Sequence, residues 1–207
     1  NITSVPMLVV MDRGYATDPK EKETGQKGRF NFNTFERVVI NELIPMIDKN
    51  YRTLPDREHR AIAGLSMGGY GAFKLGLALP ESFRAVASLS GAVDVASLMD
   101  RMKNQNPEGL SGFEYIYGDS PIAGSDNDLF ALAGRAKAEG KKLPKLYQWC
   151  GKQDFLYEDN IRLRDYLQKM GADITYEEAD GDHQWKYWDS GIERVLGWIQ
   201  GILEEDK

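Results

Sequence analysis

A single cysteine, Cys150, and two histidines, His59 and His183, stand among the 207 residues. One cysteine excludes an internal disulfide and leaves the redox compartment open. So few soft ligands argue against a zinc site, and no metal is expected. No apolar run approaches the roughly 20 residues of a membrane-spanning helix. The opening residues Asn1-Ile2-Thr3-Ser4 have neither the charged n-region nor the long h-region of a signal peptide. Positive charge is in deficit: 26 Lys and Arg face 32 Asp and Glu, a net charge of −6. That balance argues against nucleic acid or an anionic membrane as a partner. Internal repeats and low-complexity tracts are missing, as is any signal for an oligomeric state.

What is present is ordinary globular material, 42% hydrophobic and 28% charged, in a length that suits one domain. Val5-Pro6-Met7-Leu8-Val9-Val10-Met11 is almost unbroken apolar sequence and reads as a buried parallel strand. A strand so close to residue 1, in a chain that does not start with methionine, leads us to expect further strands upstream. The expected unit is therefore one domain over residues 1–207, incomplete at its N-terminus. Residues 12–28 read as a polar loop. Asn33 or Thr34 is expected to cap a helix reaching Ile47, which Pro45 kinks or divides.

Further strands are expected over Arg60–Ala63, Arg84–Ser90, Lys145–Cys150 and Asp173–Glu178. Helices are expected over Tyr70–Leu79, from an Asp128 cap to Gly140, over Glu158–Met170, and from Trp188 to the C-terminus. Residues 92–127, dotted with glycine and proline, read as an irregular excursion that forms a lid or pocket wall. Alternation of strand and helix predicts an α/β fold with a mostly parallel sheet and helices on both faces. In such sheets the chemistry gathers at the C-terminal ends of the strands.

One stretch organises the rest. Gly64-Leu65-Ser66-Met67-Gly68 has the form G-x-S-x-G between an expected strand and an expected helix, the setting of a nucleophile elbow. A sharp turn there holds the serine in a strained backbone conformation, and flanking glycines remove side chains that would clash. Serine needs a base, and the base needs a partner to fix its tautomer. His59 precedes the elbow strand, on its entry side, and reads as a surface residue. His183 follows the last strand, where a base belongs. Asp154, after the Lys145–Cys150 strand, is the expected orienting acid, with Asp182, Asp180 and Glu158 as rivals. The chain order Ser66, Asp154, His183 is that of α/β-hydrolases.

Three segments carry a resemblance. Gly64-Leu65-Ser66-Met67-Gly68-Gly69-Tyr70-Gly71, Trp149-Cys150-Gly151-Lys152-Gln153-Asp154-Phe155-Leu156-Tyr157 and Gly181-Asp182-His183-Gln184-Trp185-Lys186-Tyr187-Trp188 resemble the esterase-D-like branch of the α/β-hydrolases. That branch holds tributyrin esterases, S-formylglutathione hydrolases, and the acetyl xylan and feruloyl esterases of carbohydrate esterase family 1. The resemblance implies Ser66 as nucleophile, His183 as base and Asp154 as its orienter. It also implies a His-Gly loop whose backbone N–H helps bind the oxyanion. This chain has no such loop, so Met67 N–H is expected to give one donor and an upstream segment the other.

The expected activity is that of a serine carboxylesterase on short-chain acyl, notably acetyl, or hydroxycinnamoyl esters, on small molecules or on plant polysaccharide. Leu65, Phe155, Leu156 and Trp185 are the expected substrate contacts, and no cofactor is called for. A thioesterase like S-formylglutathione hydrolase, or a non-catalytic carbohydrate-binding module that keeps the fold, is the alternative. A polysaccharide-directed enzyme implies a secreted or periplasmic location, and a small-ester enzyme a cytoplasmic one.

Overall fold

The computed structural model describes residues 6–11, 32–118 and 120–204. In chain order the helices are α1 (Phe32–Val38), α2 (Ile44–Asn50), α3 (Met67–Ala78), α4 (Val95–Gln105), α5 (Pro107–Tyr117), α6 (Leu129–Ala138), α7 (Tyr157–Lys169) and α8 (Trp185–Glu204). The strands are β1 (Ala61–Leu65), β2 (Ala85–Leu89), β3 (Lys145–Gly151) and β4 (Ile174–Ala179). The chain gathers into two compact units, one of residues 1–7, 56–98 and 122–207, the other of residues 8–55 and 99–121.

The first unit holds the sheet. Its order is β1-β2-β3-β4, and every pairing is parallel, with Ala61 beside Ala85, Ala85 beside Lys145, and Leu146 beside Ile174. Period-two alternation gives the sheet two faces. On one face Ala85, Ala87, Leu89, Tyr147 and Trp149 pack against Trp188, Val195, Ile199 and Ile202 of α8. Those four helix positions recur at helical spacing, which makes one apolar stripe. Burying each such aliphatic side chain contributes about 1.5–3 kcal/mol. On the other face α3 lies so close to β2 that a Cβ on Gly76 would come within 2.5 Å of Val86 Cγ2. Helices α3, α6 and α7 contact one another in series on that side.

Helix ends follow the sequence. Asp128 caps α6, its Oδ1 accepting from the N–H groups of Phe130 and Ala131. Gly140 and Gly171, just beyond α6 and α7, take φ of +67° and +81°, values that glycine adopts without a steric cost.

The structure departs from the sequence reading in three places. Residues 6–11 form no regular element, and Met11 is 89% exposed. The apolar run reports a demand for burial, but a strand exists only where a neighbour takes its backbone hydrogen bonds. No strand pairs with residues 6–11 among the described residues. Helix α1 starts at Phe32, so Asn33 and Thr34 sit inside it rather than at its cap. Pro45 falls in the first turn of α2, after a π-helical stretch over Val39–Leu43; Val38, Leu43 and Ile44 keep helical φ and ψ, so the helix changes its hydrogen-bonding pattern ahead of the proline and runs on to Asn50.

The third departure is the excursion. Residues 92–127 contain α4 and α5, two helices of 11 residues each. Pro107 starts α5 rather than breaking one, because the first helical N–H needs no partner within the helix. Asn106 caps it, its Oδ1 accepting from Gly109 N–H at 3.0 Å. Phe113 and Tyr117 stack one turn apart, with ring centroids 6.2 Å apart. The polar loop expected over residues 12–28 lies outside the described residues.

Candidate active site

Ser66 occupies the single step between β1 and α3, with φ +52° and ψ −121°. An L-residue with positive φ brings its Cβ toward the backbone oxygen, at about 1–2 kcal/mol. The strain is held by hydrogen bonds on both sides of the residue. Ser66 N–H donates to Leu89 O at 2.9 Å, and Ser66 O accepts from Tyr70 N–H at 3.1 Å and Ala92 N–H at 3.2 Å. The glycines explain themselves by distance. A Cβ on Gly64 would lie 2.1 Å from Gly68 O, and one on Gly69 would lie 2.6 Å from Ser88 Oγ. A Cβ on Gly68 would meet nothing within 4 Å, so the tight contacts fall at the first glycine of the motif and at the one just after it.

The residues expected to partner Ser66 converge on it. Ser66 Oγ is 2.9 Å from His183 Nε2, and His183 Nδ1 is 2.9 Å from Asp154 Oδ2. Asp154 comes from the loop after β3 and His183 from the loop after β4. The strand register brings those loops together, since Gly151 pairs with Ala179 at the end of the sheet. The Asp154 side chain is fully buried, and its Oδ1 accepts from Leu156 N–H at 2.9 Å. An ionised carboxylate only accepts; against one, Nδ1 carries the imidazole proton and Nε2 is left to accept from the Ser66 hydroxyl. That tautomer is the one a general base requires.

The rival acids lie elsewhere. Asp182 Oδ2 accepts from Gln184 Nε2 at 2.7 Å, and Glu158 and Asp180 are exposed. His59 is in a 3-10 turn, Arg57–His59, with its Nδ1 2.7 Å from Asp56 Oδ1 on the exposed surface. Met67 is the first residue of α3. Its N–H is one of the four at a helix start that lack a carbonyl within the helix, and it sits at the positive end of the helix dipole.

The expected substrate contacts divide. Phe155 is 64% exposed and Trp185 72% exposed. The Phe155 ring lies 4.8 Å from the His183 ring, and Trp185 stands edge-on to Trp188, whose ring is 4.7 Å from His183. Leu65 ends β1 and packs against the α8 side of the sheet. Leu156 is 1% exposed and belongs to the core. It offers no surface to a ligand, because its position just before α7 turns it inward.

Sequence reasoning passed over a buried amide pair beneath the site. Gln148 Nε2 donates to Asn160 Oδ1 at 2.8 Å. Asn160 Nδ2 donates to Gly91 O at 2.9 Å and to Leu156 O at 2.8 Å. Asn160 thus joins the loop after β2, which braces Ser66, to the loop that carries Asp154. A polar residue at an inward position of a strand, Gln148 in Leu146-Tyr147-Gln148-Trp149, was the available signal. Cys150 is fully buried, and its thiol is pushed well above the ordinary range by burial first and by the Asp154 carboxylate second. It is held as a neutral core residue.

The chain is similar to several known proteins. A family model described as "Putative esterase" matches residues 2–199. An acetyl esterase of Caldicellulosiruptor saccharolyticus is 31% identical over 93% of this chain and 70% of its own length. An endo-1,4-beta-xylanase/feruloyl esterase of Xylanibacter ruminicola is 38% identical over 51% of this chain and 16% of its own length. The crystal structure of an S-formylglutathione hydrolase of Staphylococcus aureus superposes with a TM-score of 0.68 at 32% identity, covering 82% of this chain and 63% of that one. The chain therefore spans less than two thirds of that solved enzyme. The shared architecture is that of the α/β-hydrolases.

Proposed function

The chain belongs to this family of carboxylic ester hydrolases, and from that premise we propose that it is a serine esterase whose nucleophile is Ser66, base His183 and orienting acid Asp154. The observation that carries the reading is the unbroken hydrogen-bonded chain from Ser66 Oγ through His183 to Asp154, at 2.9 Å in each link. In this mechanism His183 Nε2 takes the hydroxyl proton as Oγ attacks the ester carbonyl. The oxyanion of the tetrahedral intermediate accepts from Met67 N–H. Loss of one such donor typically costs about a hundredfold or more in rate. The intermediate collapses to an acyl-Ser66, and His183 passes its proton to the departing alcohol. Water then gives a proton to His183 and attacks the acyl carbon, and the acid leaves as Ser66 regains its proton.

Acetyl and hydroxycinnamoyl esters are the substrates we assign. The acetyl esterase and feruloyl esterase relatives support both acyl groups. Exposed Phe155, against the His183 ring, and exposed Trp185, against Trp188, suit a planar aromatic acid or a sugar ring, both of which stack on aromatic faces. The likeness to an S-formylglutathione hydrolase favours a second reading, in which the same residues cleave a small thioester. A panel of 4-nitrophenyl acetate, methyl ferulate and S-formylglutathione separates the readings. Turnover of an oxygen ester that disappears in Ser66→Ala is the expected result. Equal turnover by wild type and Ser66→Ala overturns the mechanism, and turnover of the thioester alone selects the second reading.

A further inference from the structure

The pairing of β3 with β4 ends in an unusual way. Lys152 N–H donates to Ala179 O at 2.9 Å, as a parallel ladder requires. In a continued ladder the Gly181 N–H would donate next to the carbonyl of Lys152, and the N–H of residue 154 would reach Gly181 O. Neither bond forms. The β3 chain turns one residue early, with Asp154 N–H donating back to Gly151 O at 3.1 Å. Gln153 fills both places: its N–H donates to Gly181 O at 2.9 Å, and its side-chain Oε1 accepts from Gly181 N–H at 2.6 Å. One residue thus makes a reciprocal clamp on both backbone groups of Gly181, two positions before His183, from the position directly before Asp154.

We propose that Gln153 is a positioning residue that sets the His183–Asp154 hydrogen bond, its side-chain carbonyl replacing the backbone acceptor lost when the chain turns to bring in Asp154. The inference rests on the triad reading for its kinetic consequence but not for its structural one. Without the Oε1 acceptor the Gly181 N–H turns to water and the base loop gains freedom relative to the acid loop. Gln153 is exposed, so its replacement removes little core packing.

Two variants and two readouts test it. Gln153→Met keeps the length of the side chain and removes the acceptor; Gln153→Glu keeps an acceptor. The chain has two histidines, so long-range 15N correlation spectra resolve both imidazoles. In wild type, His183 is expected in the Nδ1–H tautomer. Gln153→Met should mix in the Nε2–H tautomer at His183 and leave the His59 signals unmoved, and Gln153→Glu should restore the wild-type pattern. With an accepted ester, Gln153→Met should lower kcat by about tenfold or more with KM within about twofold, the mark of misplacement rather than lost binding. A Gln153→Met spectrum that matches wild type, or equal impairment of Met and Glu variants, overturns the proposal. The spectra need no substrate, so they decide the positioning role even where wild type turns over no ester, a result that would instead count against the function proposed above.

Discussion

A Cβ on Gly151 would stand 2.3 Å from the carbonyl oxygen of Gly181. The acid loop and the base loop run backbone against backbone at this point, and no flexible side chain is available to give way. Gly151→Ala must therefore drive the loops apart, along with Asp154 and His183. The expected loss in kcat is about tenfold to a hundredfold, since small misplacements of catalytic groups carry costs of that order. Overpacking should also lower stability by about 1–3 kcal/mol. Steady-state kinetics and a denaturation curve on the same variant check both; wild-type kcat in Gly151→Ala would show that the loops are not coupled in this way.

Gly197 gives the opposite expectation. It lies on the exposed side of α8, and a Cβ there would meet nothing within 4 Å. Glycine inside a helix is less favourable than alanine by about 1 kcal/mol. Gly197→Ala should raise stability by about that amount and leave turnover unchanged, as a urea titration would show. A loss of stability would mean that the helix is constrained by something other than its own backbone.

Strain at Ser66 can be separated from its chemistry. Ser66→Ala and Ser66→Gly both remove the hydroxyl, but alanine keeps the Cβ that makes φ +52° costly and glycine does not. The glycine variant should be the more stable of the two by about 1 kcal/mol, the strain of about 1–2 kcal/mol being partly offset by glycine's larger unfolded-state entropy. Both should be inactive. Equal melting temperatures would mean that the elbow stores no backbone strain.

The sequence made the members of the candidate site legible and much of their support illegible, for a physical reason. Ser66, Asp154 and His183 each follow a strand in a fixed chain order, so topology alone predicts that they meet. Asp128, Gly140 and Gly171 were equally readable, because caps and helix stops depend on neighbours in sequence. Long-range contacts were not. Whether Leu156 faces a ligand or the core depends on how α7 docks, and the same holds for the Gln148–Asn160 pair. Pro107 and its glycines signalled breakage, whereas the Asn106 cap turned the same proline into a helix start. Residues 6–11 carried the apolar signature of a strand, and among the described residues no strand pairs with them. The Gln153 clamp depends on a ladder ending one residue early, a feature of register that composition does not encode.

Alkaline pH should destabilise the fold. Burial is the first cause that pushes Cys150, Tyr147 and Tyr176 above their ordinary ionisation range. Each must stay protonated in the folded chain while its unfolded counterpart ionises. Above about pH 8.5–10, where free cysteine and tyrosine titrate, the unfolded chain binds fewer protons, and stability falls as pH rises. Their contribution is fully present below that window. Denaturation curves at pH 8, 9 and 10 should show the fall, and Cys150→Ala should reduce its slope. A stability independent of pH across this range would contradict the burial of these groups.

The claim on which the account turns is that His183 activates Ser66. Intact-mass analysis of the protein after exposure to a fluorophosphonate probe tests it most directly, because such probes label serines whose hydroxyl proton is drawn off by a base. The expected result is a single adduct on Ser66, absent in Ser66→Ala and strongly slowed in His183→Ala. An unlabelled wild-type protein, or labelling of His183→Ala at the wild-type rate, would contradict it.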